Sequence, residues 1–152
     1  MMSESLKTRL MRWRFNFFPA YRRTGARITY ISRDWREVHI KLPLNWKTRN
    51  YVGTIFGGSI YAAADPIYMV MFIKLLGPGY IVWDKEAHIW FKRPGRSTLH
   101  ARFKVEDREL HAIREELKAS RKLERTYRVE LVDEKEKVCA VVEKVLYFRA
   151  IS

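Results

Sequence analysis

Residues 50–72, NYVGTIFGGSIYAAADPIYMVMF, open the most apolar run of the chain, and an acid followed by proline, Asp65-Pro66, sits in the middle of it. From about residue 57 to residue 76 there is no turn signal. So many Ala, Met and Ile residues in succession predict a helix, which Gly77-Pro78-Gly79 ends. A helix apolar nearly all round has to be covered on several sides, by other elements of the protein or by lipid. Its length is close to the thickness of a bilayer core, so a membrane span is one reading. The sequence on either side decides between the two.

Upstream, ARITYIS and REVHIKLPLN alternate apolar and polar residues through Ile28, Tyr30, Val38, Ile40 and Leu42, with SRDW as the turn between them. That is the pattern of a hairpin with one buried face. Downstream, YIVWDKEAHIWFKR, STLHARFKVED, RTYRVELVD and KVCAVVEKVLYF read as further strands, and the last two are joined by the charged turn EKEK. RELHAIREELKAS, with Leu110, Ile113 and Leu117 as its apolar stripe, reads as a short exposed helix inserted among them. Alternating, charge-rich strands need an apolar helix to cover them. The helix at about 57–76 is therefore expected to be the core of an α+β domain, with no transmembrane segment. The 152 residues are 47% hydrophobic and hold no repeat or linker, so residues 1–152 are read as one domain.

The opening SESLKTRLMRWRFNFF predicts an amphipathic helix over 4–18, capped by Ser3 or Ser5 and ended by Pro19. Leu6, Leu10, Trp13 and Phe17 share one face, and Lys7, Arg9, Arg12 and Arg14 surround it. A basic amphipathic helix can lie on a membrane surface or over its own domain with snorkelling arginines; the second is expected here. The arginines interrupt any secretory h-region, and the lone Cys139, set among apolar residues, suits a buried thiol in a reducing compartment, so a cytoplasmic protein is expected. The net charge of +13 would attract polyanions of any kind: nucleic acid, anionic lipid or a phosphorylated cofactor. The segment RWRFNFFPAYRR invites a nucleic-acid reading, which is the least favoured because Trp13 and Phe17 look committed to a helix face.

Core packing does not explain Asp65. A bare buried carboxylate costs more than packing returns, so it must be paired, protonated or open to solvent at a subunit junction. Gly57 and Gly58 at the first turn leave N–H groups at the positive end of the helix dipole, suited to an anion or to a carbonyl oxygen gaining charge. Asp65 follows two turns later. Pro66, lacking an N–H, deprives the Ala62 carbonyl of its partner, so a bend is expected there. Asn50 adds an amide that could orient water or a carbonyl oxygen. A carboxylate, a helix N-terminus and an amide suffice in kind for hydrolysis of an activated acyl group.

The pattern N-x-x-G-x-x-x-G-G-x-x-x-x-x-x-D, realised as Asn50, Gly53, Gly57, Gly58 and Asp65, resembles the active-site segment of hotdog-fold acyl-CoA thioesterases of the phenylacetate-pathway and 4-hydroxybenzoyl type. GTIFGGSIYAAADP followed by VWDKEAHIWFKRPGR is most similar to small thioesterase-like hotdog proteins placed near them. The resemblance covers about residues 25–148, with the charged helix near 109–120 as an insertion. It implies a hotdog fold, a curved antiparallel sheet wrapped around a long central helix. It also implies a homodimer, or a dimer of dimers, with the site at the subunit junction. In that setting Asp65 is the general base or nucleophile, Gly57 or Gly58 polarises the thioester carbonyl, and Asn50 assists. Lys92, Arg93 and Arg96 are candidates to hold the phosphates of coenzyme A, which enters as part of the substrate with no other cofactor required. Phe56, Tyr61 and Met69 would line the acyl tail.

One departure matters. The thioesterases usually carry histidine immediately before the Gly-Gly pair, where this chain has Phe56, which cannot hydrogen-bond water or thioester. A non-catalytic acyl-CoA or fatty-acyl binding protein is therefore the alternative to hydrolysis. Strict alternation in VWDKEAHIWF puts Asp84 on the face opposite Ala87, Ile89 and Phe91; a structural role for it is preferred over that of a second acid. His39, His88, His100 and His111 lie in unrelated contexts, and no metal site is expected.

Overall fold

The computed structural model describes residues 3–151. Six antiparallel strands, β1 (Arg27–Ile31), β2 (Glu37–Leu42), β3 (Tyr80–Phe91), β4 (Leu99–Lys104), β5 (Lys122–Val132) and β6 (Val138–Ala150), form one sheet in the order β1-β2-β4-β5-β6-β3. The central helix lies against one face of this sheet, and a helix α5 (Asp107–Ser120) is inserted between β4 and β5. This is the α+β arrangement that the alternation of strands around one apolar helix predicts, and the hotdog fold that the resemblance implies. Every second residue of the inner strands meets the helix. Val38, Ile40 and Leu42 of β2, Leu99 and Phe103 of β4, and Val142, Leu146 and Phe148 of β6 are buried with Ile60, Ala63, Ile67, Met71 and Phe72. Phe72 meets Phe148 edge-on at 5.0 Å between ring centroids, and Tyr68 meets Phe103 likewise at 5.0 Å. Residues 57–76 are long and apolar enough, by length and composition, to cross a membrane. Their buried side chains are instead spent on the sheet.

The expected single helix over 57–76 is two segments, α3 (Gly57–Ala64) and α4 (Ile67–Leu76), meeting at Asp65-Pro66. Both junction residues keep right-handed helical torsions, so the break lies in the hydrogen bonding. Pro66 offers no N–H to the Ala62 carbonyl, and its ring opens the turn. The neighbouring Ala63 carbonyl accepts a hydrogen bond at 2.9 Å from the hydroxyl of Tyr21, a residue of the short helix α2 (Pro19–Arg22). Burial pushes the Tyr21 phenol well above its ordinary pKa, so it stays a donor.

The N-terminal helix α1 (Leu6–Phe17) is capped by Ser5 through a reciprocal pair with Thr8, and Phe18 and Pro19 turn the chain into α2. Its orientation corrects the sequence expectation. Leu6, Leu10, Trp13 and Phe17 face away from the domain, and the inward face carries Thr8, Arg12, Phe15 and Asn16. The cause is β1, an edge strand whose outer N–H and C=O groups need polar partners. Asn16 gives its side-chain amide to Ile28 O at 2.9 Å and accepts from Ile28 N at 2.8 Å. Glu4 accepts from Ile31 N at 3.3 Å while held by Arg12 at 2.8 Å. Polar groups thus fix α1 over the β1 edge, and the apolar stripe is left outside. Among the described residues, the β3 edge at the opposite end of the sheet has no such cover.

Candidate active site

The loop before α3 is shaped by Asn50. Its Oδ1 accepts from Val52 N at 3.1 Å and Thr54 N at 2.9 Å, and its Nδ2 donates to Thr54 Oγ1 at 2.9 Å. This amide is therefore spent largely on the turn, where the sequence reading had it orienting water; only its second Nδ2 hydrogen remains free. The turn hands the chain to Phe56, whose carbonyl takes the N–H of Ser59 and Ile60 at 3.0 and 3.2 Å. The N–H groups of Gly57 and Gly58 have no acceptor among the described residues. At both positions a side chain would press on a neighbouring phenyl ring, which would have to shift. A Cβ on Gly57 would lie 3.0 Å from the Phe91 ring, and one on Gly58 would lie 2.5 Å from the ring of Phe56, which folds back over it.

Gly57 borders a cleft of about 430 Å³ lined also by Asn50, Ile60, Phe91, Lys92 and Arg93. Two of the three basic residues expected to hold phosphates, Lys92 and Arg93, thus share a cleft with the helix start. Arg96 is exposed but does not line it. Phe56, expected along an acyl tail, is an exposed ring beside Gly58, and Met69 packs half-buried against the core.

Two turns on, Asp65 is 43% exposed, and its Oδ1 accepts two hydrogen bonds, from the Tyr61 hydroxyl at 2.8 Å and from Lys144 Nζ at 2.6 Å. Oδ2 has no partner among the described residues and is the atom free for chemistry. Tyr61 thus orients the carboxylate. Burial first, and then its bond to Asp65, raise its phenol pKa, so it remains a donor. Lys144 itself is 1% exposed and also reaches Asp84 Oδ2 at 3.2 Å. Burial alone would lower the Lys144 pKa, but the hydrogen bond to Asp65 and the charges of Asp84 and Asp65 outweigh it and leave it raised. Asp84 is pushed up by burial, held back by Lys144, and its Oδ1 is buried without a donor.

Asp84 reaches this cluster because β3 carries a bulge between Asp84 and Glu86. The extra residue, Lys85, reverses the alternation, so Asp84 joins the helix-facing side together with Ile89 and Phe91. Strict alternation had put them on opposite faces. Lys144 was missed in the sequence, yet its signal was present: in KVCAVVEKVLYF the alternation that buries Ala140, Val142, Leu146 and Phe148 puts Lys144 on the same apolar face. A lysine there needs a counter-ion, and Asp65 is the acid on the helix opposite. Among the described residues no cluster of His, Cys, Asp and Glu is placed to hold a metal ion.

The family model described as a domain of unknown function (DUF4442) matches residues 7–148. Among solved structures, the fold is shared with PA5026 of Pseudomonas aeruginosa, a protein of unknown function described as a probable thioesterase, at 19% identity over 97% of this chain and 98% of that one, TM-score 0.84. It is shared with the thioesterase HI1161 of Haemophilus influenzae at 17% identity over 98% and 93%, TM-score 0.70. PaaI from the phenylacetic acid degradation operon of E. coli is similar at 16% identity over 95% and 93%, TM-score 0.65. No curated protein matches the chain by sequence. At such identities the likeness speaks for the fold and leaves the role of each side chain to its geometry. The chain belongs to the DUF4442 family and has the hotdog fold of thioesterase-like proteins.

Proposed function

We propose that the protein hydrolyses acyl-CoA thioesters. The observation that carries this reading is the pairing, on one broken helix, of two unbonded N–H groups at its start with a carboxylate whose second oxygen is free. The Gly57 and Gly58 amides receive the thioester oxygen, and negative charge gathers there as the carbonyl carbon becomes tetrahedral. Asp65 Oδ2 takes a proton from the attacking water, and returns it to the sulfur as the C–S bond breaks, leaving a carboxylic acid and free coenzyme A. Direct attack by the same oxygen is the covalent variant. Tyr61 and Lys144 keep Oδ1 fixed. Lys92 and Arg93 offer donors to the phosphates at the mouth of the cleft.

Asp65 lies seven helical steps beyond Gly58, about 10 Å along the axis. That is too far for one chain's amides and carboxylate to meet at one carbon. The site is therefore completed by a second copy of the chain, each Asp65 working beside the amides of the other protomer in a homodimer. Coenzyme A enters as part of the substrate, and this route calls for no other cofactor. We place the reaction in the cytoplasm, where a lone thiol such as Cys139 stays reduced.

Asp65→Asn tests the mechanism: thiol release from an acyl-CoA panel should fall at least about a hundredfold, while acyl-CoA binding stays near that of the parent and the protein still folds, with a lower thermal stability because Lys144 loses the nearer of its two counter-charges. Undiminished release would remove Asp65 from the chemistry. Phe56 supports the second reading, a binding protein without turnover, because its ring folds over Gly58 where a hydrogen-bonding side chain is expected. Tight acyl-CoA binding with no thiol release by the parent protein would select it.

A further inference from the structure

The outward stripe of α1 is not covered by any of the described residues. Helical steps of 100° put Leu6, Leu10, Trp13 and Phe17 within about 60° of one another, with Arg9 on one flank and Lys7 and Arg14 on the other. Leu6 is 82% exposed and Trp13 58%, and Phe18 extends the apolar strip past the end of the helix. Trp13 and Phe17 lie against each other at 4.6 Å, and the Arg22 guanidinium sits 5.4 Å from the Phe17 ring centre. The one acid of residues 1–33, Glu4, is turned inward onto Arg12 and the β1 backbone and lies 3.7 Å from Arg9, whose side chain stays 63% exposed, so the outward charge of this face is carried by Lys7, Arg14 and a partly countered Arg9.

We propose that α1 docks the protein on an anionic lipid surface, with the apolar stripe in the interface and Lys7, Arg9 and Arg14 against the headgroups. The face is preformed. Ser5 caps it and Asn16 clamps it to β1, so binding does not have to meet the cost of folding a free helix. A nucleic acid would answer the charge but not the aliphatic and aromatic stripe. A second copy would answer the stripe but would bring Lys7, Arg9 and Arg14 of two chains together. An anionic bilayer answers both: apolar depth, a tryptophan at the boundary, and negative headgroups on either side.

The test is sedimentation of the full-length protein with vesicles of phosphatidylcholine alone and of phosphatidylcholine mixed with phosphatidylglycerol. Binding should require the anionic lipid and weaken as salt is raised. Arg9→Gln and Arg14→Gln should each lower affinity about fivefold. The pair Leu10→Ser with Trp13→Ser, both solvent-exposed positions, should abolish binding while the circular dichroism spectrum stays that of the parent. Four results would overturn the proposal: no binding to either vesicle, equal binding to both, binding retained by the Leu10→Ser/Trp13→Ser protein, or a change of oligomeric state caused by that pair in the absence of lipid.

Discussion

Replacing Lys144 by methionine tests the electrostatic design of the site directly. Methionine keeps the length and apolar body of the side chain and removes the charge. The ammonium is 1% exposed and touches two carboxylates, at 2.6 and 3.2 Å. Removing one partner of a buried ion pair costs about 3–5 kcal/mol. The lower end, about 3 kcal/mol, applies, because half-exposed Asp65 can turn to water. Asp84 cannot do so as readily: it is 21% exposed and one of its oxygens already lacks a donor. Asp84 therefore bears the cost, and it can lessen that cost by binding a proton. Burial raises its pKa even in the parent, and the Lys144 charge that holds the value down would be gone. An acid with a raised folded-state pKa binds more protons folded than unfolded, so stability falls as pH rises from the unfolded value toward the folded one, by up to about 1.4 kcal/mol per pH unit. Urea unfolding at fixed protein concentration, between about pH 4 and about pH 8, should then show a small deficit at the acid end and the full deficit at the neutral end. Adding Asp84→Asn should recover most of the neutral-pH loss and flatten its pH dependence. A cost below about 0.5 kcal/mol at neutral pH, the range of exposed pairs, would refute the counter-ion role of Lys144. So would a deficit that does not change with pH.

Three further outcomes follow from other parts of the fold. Gly57→Ala places a methyl group 3.0 Å from the Phe91 ring and beside an unbonded N–H; it should cost about 1 kcal/mol in thermal unfolding and depress thiol release, with Phe91→Leu restoring stability. Tyr21→Phe strips the Ala63 carbonyl of its buried donor at the helix break and should cost about 1–3 kcal/mol by chemical denaturation. The hydrogen bond from Arg12 to Glu4, opposed by burial, holds the Glu4 carboxyl below its ordinary value of 4.5. Its contribution is therefore complete above that value and lost as pH falls through the folded-state pKa. The protection of the Ile31 N–H, its exchange relative to the intrinsic rate at each pH, should fall over that acid window, and it should not do so in Glu4→Gln, where no carboxylate titrates.

Period-two patterns made the strands legible because each strand of this sheet has one face on the helix, so burial reports directly on alternation. The central helix was legible because its outer face is apolar as well as the one on the sheet: Ala62, Met69, Val70 and Ile73, half-buried or exposed, leave it no polar stripe. What the pattern could not carry was any place where polar groups overrode it. The bulge at Lys85 adds one residue to β3 without any glycine or proline to announce it, so Asp84 was assigned to the wrong face. Helix α1 has an apolar stripe that periodicity alone would turn inward, but the open edge of β1 recruits Asn16 and Glu4 instead. Asp65 stood out because an acid in an apolar run has no packing explanation. Lys144 was concealed by the charged residues around it, Glu143 among them, although its place in the alternation marks it as the only cation of the helix-facing row in β6.

The two ends of the sheet carry the remaining step of the argument. A six-stranded open sheet has two edges, and each is a surface on which another strand can pair. At β1 the edge is closed by α1, whose side chains occupy the Ile28 N–H and C=O and the Ile31 N–H. At β3 none of the described residues plays that part, and Trp83, Trp90 and Phe91 lie exposed along the strand. Pairing between copies is thus blocked on one side and left available on the other. The available strand is the one that brings Asp84 to Lys144, lays Phe91 against Gly57 and runs into Lys92 and Arg93. A two-fold pairing of β3 with its counterpart would therefore bring two copies of the helix start and two copies of the Asp65 cluster to one seam. The proposed hydrolysis, with its amides and carboxylate about 10 Å apart along one chain, calls for such a seam, so a protein that stays monomeric while it releases thiol would refute this step.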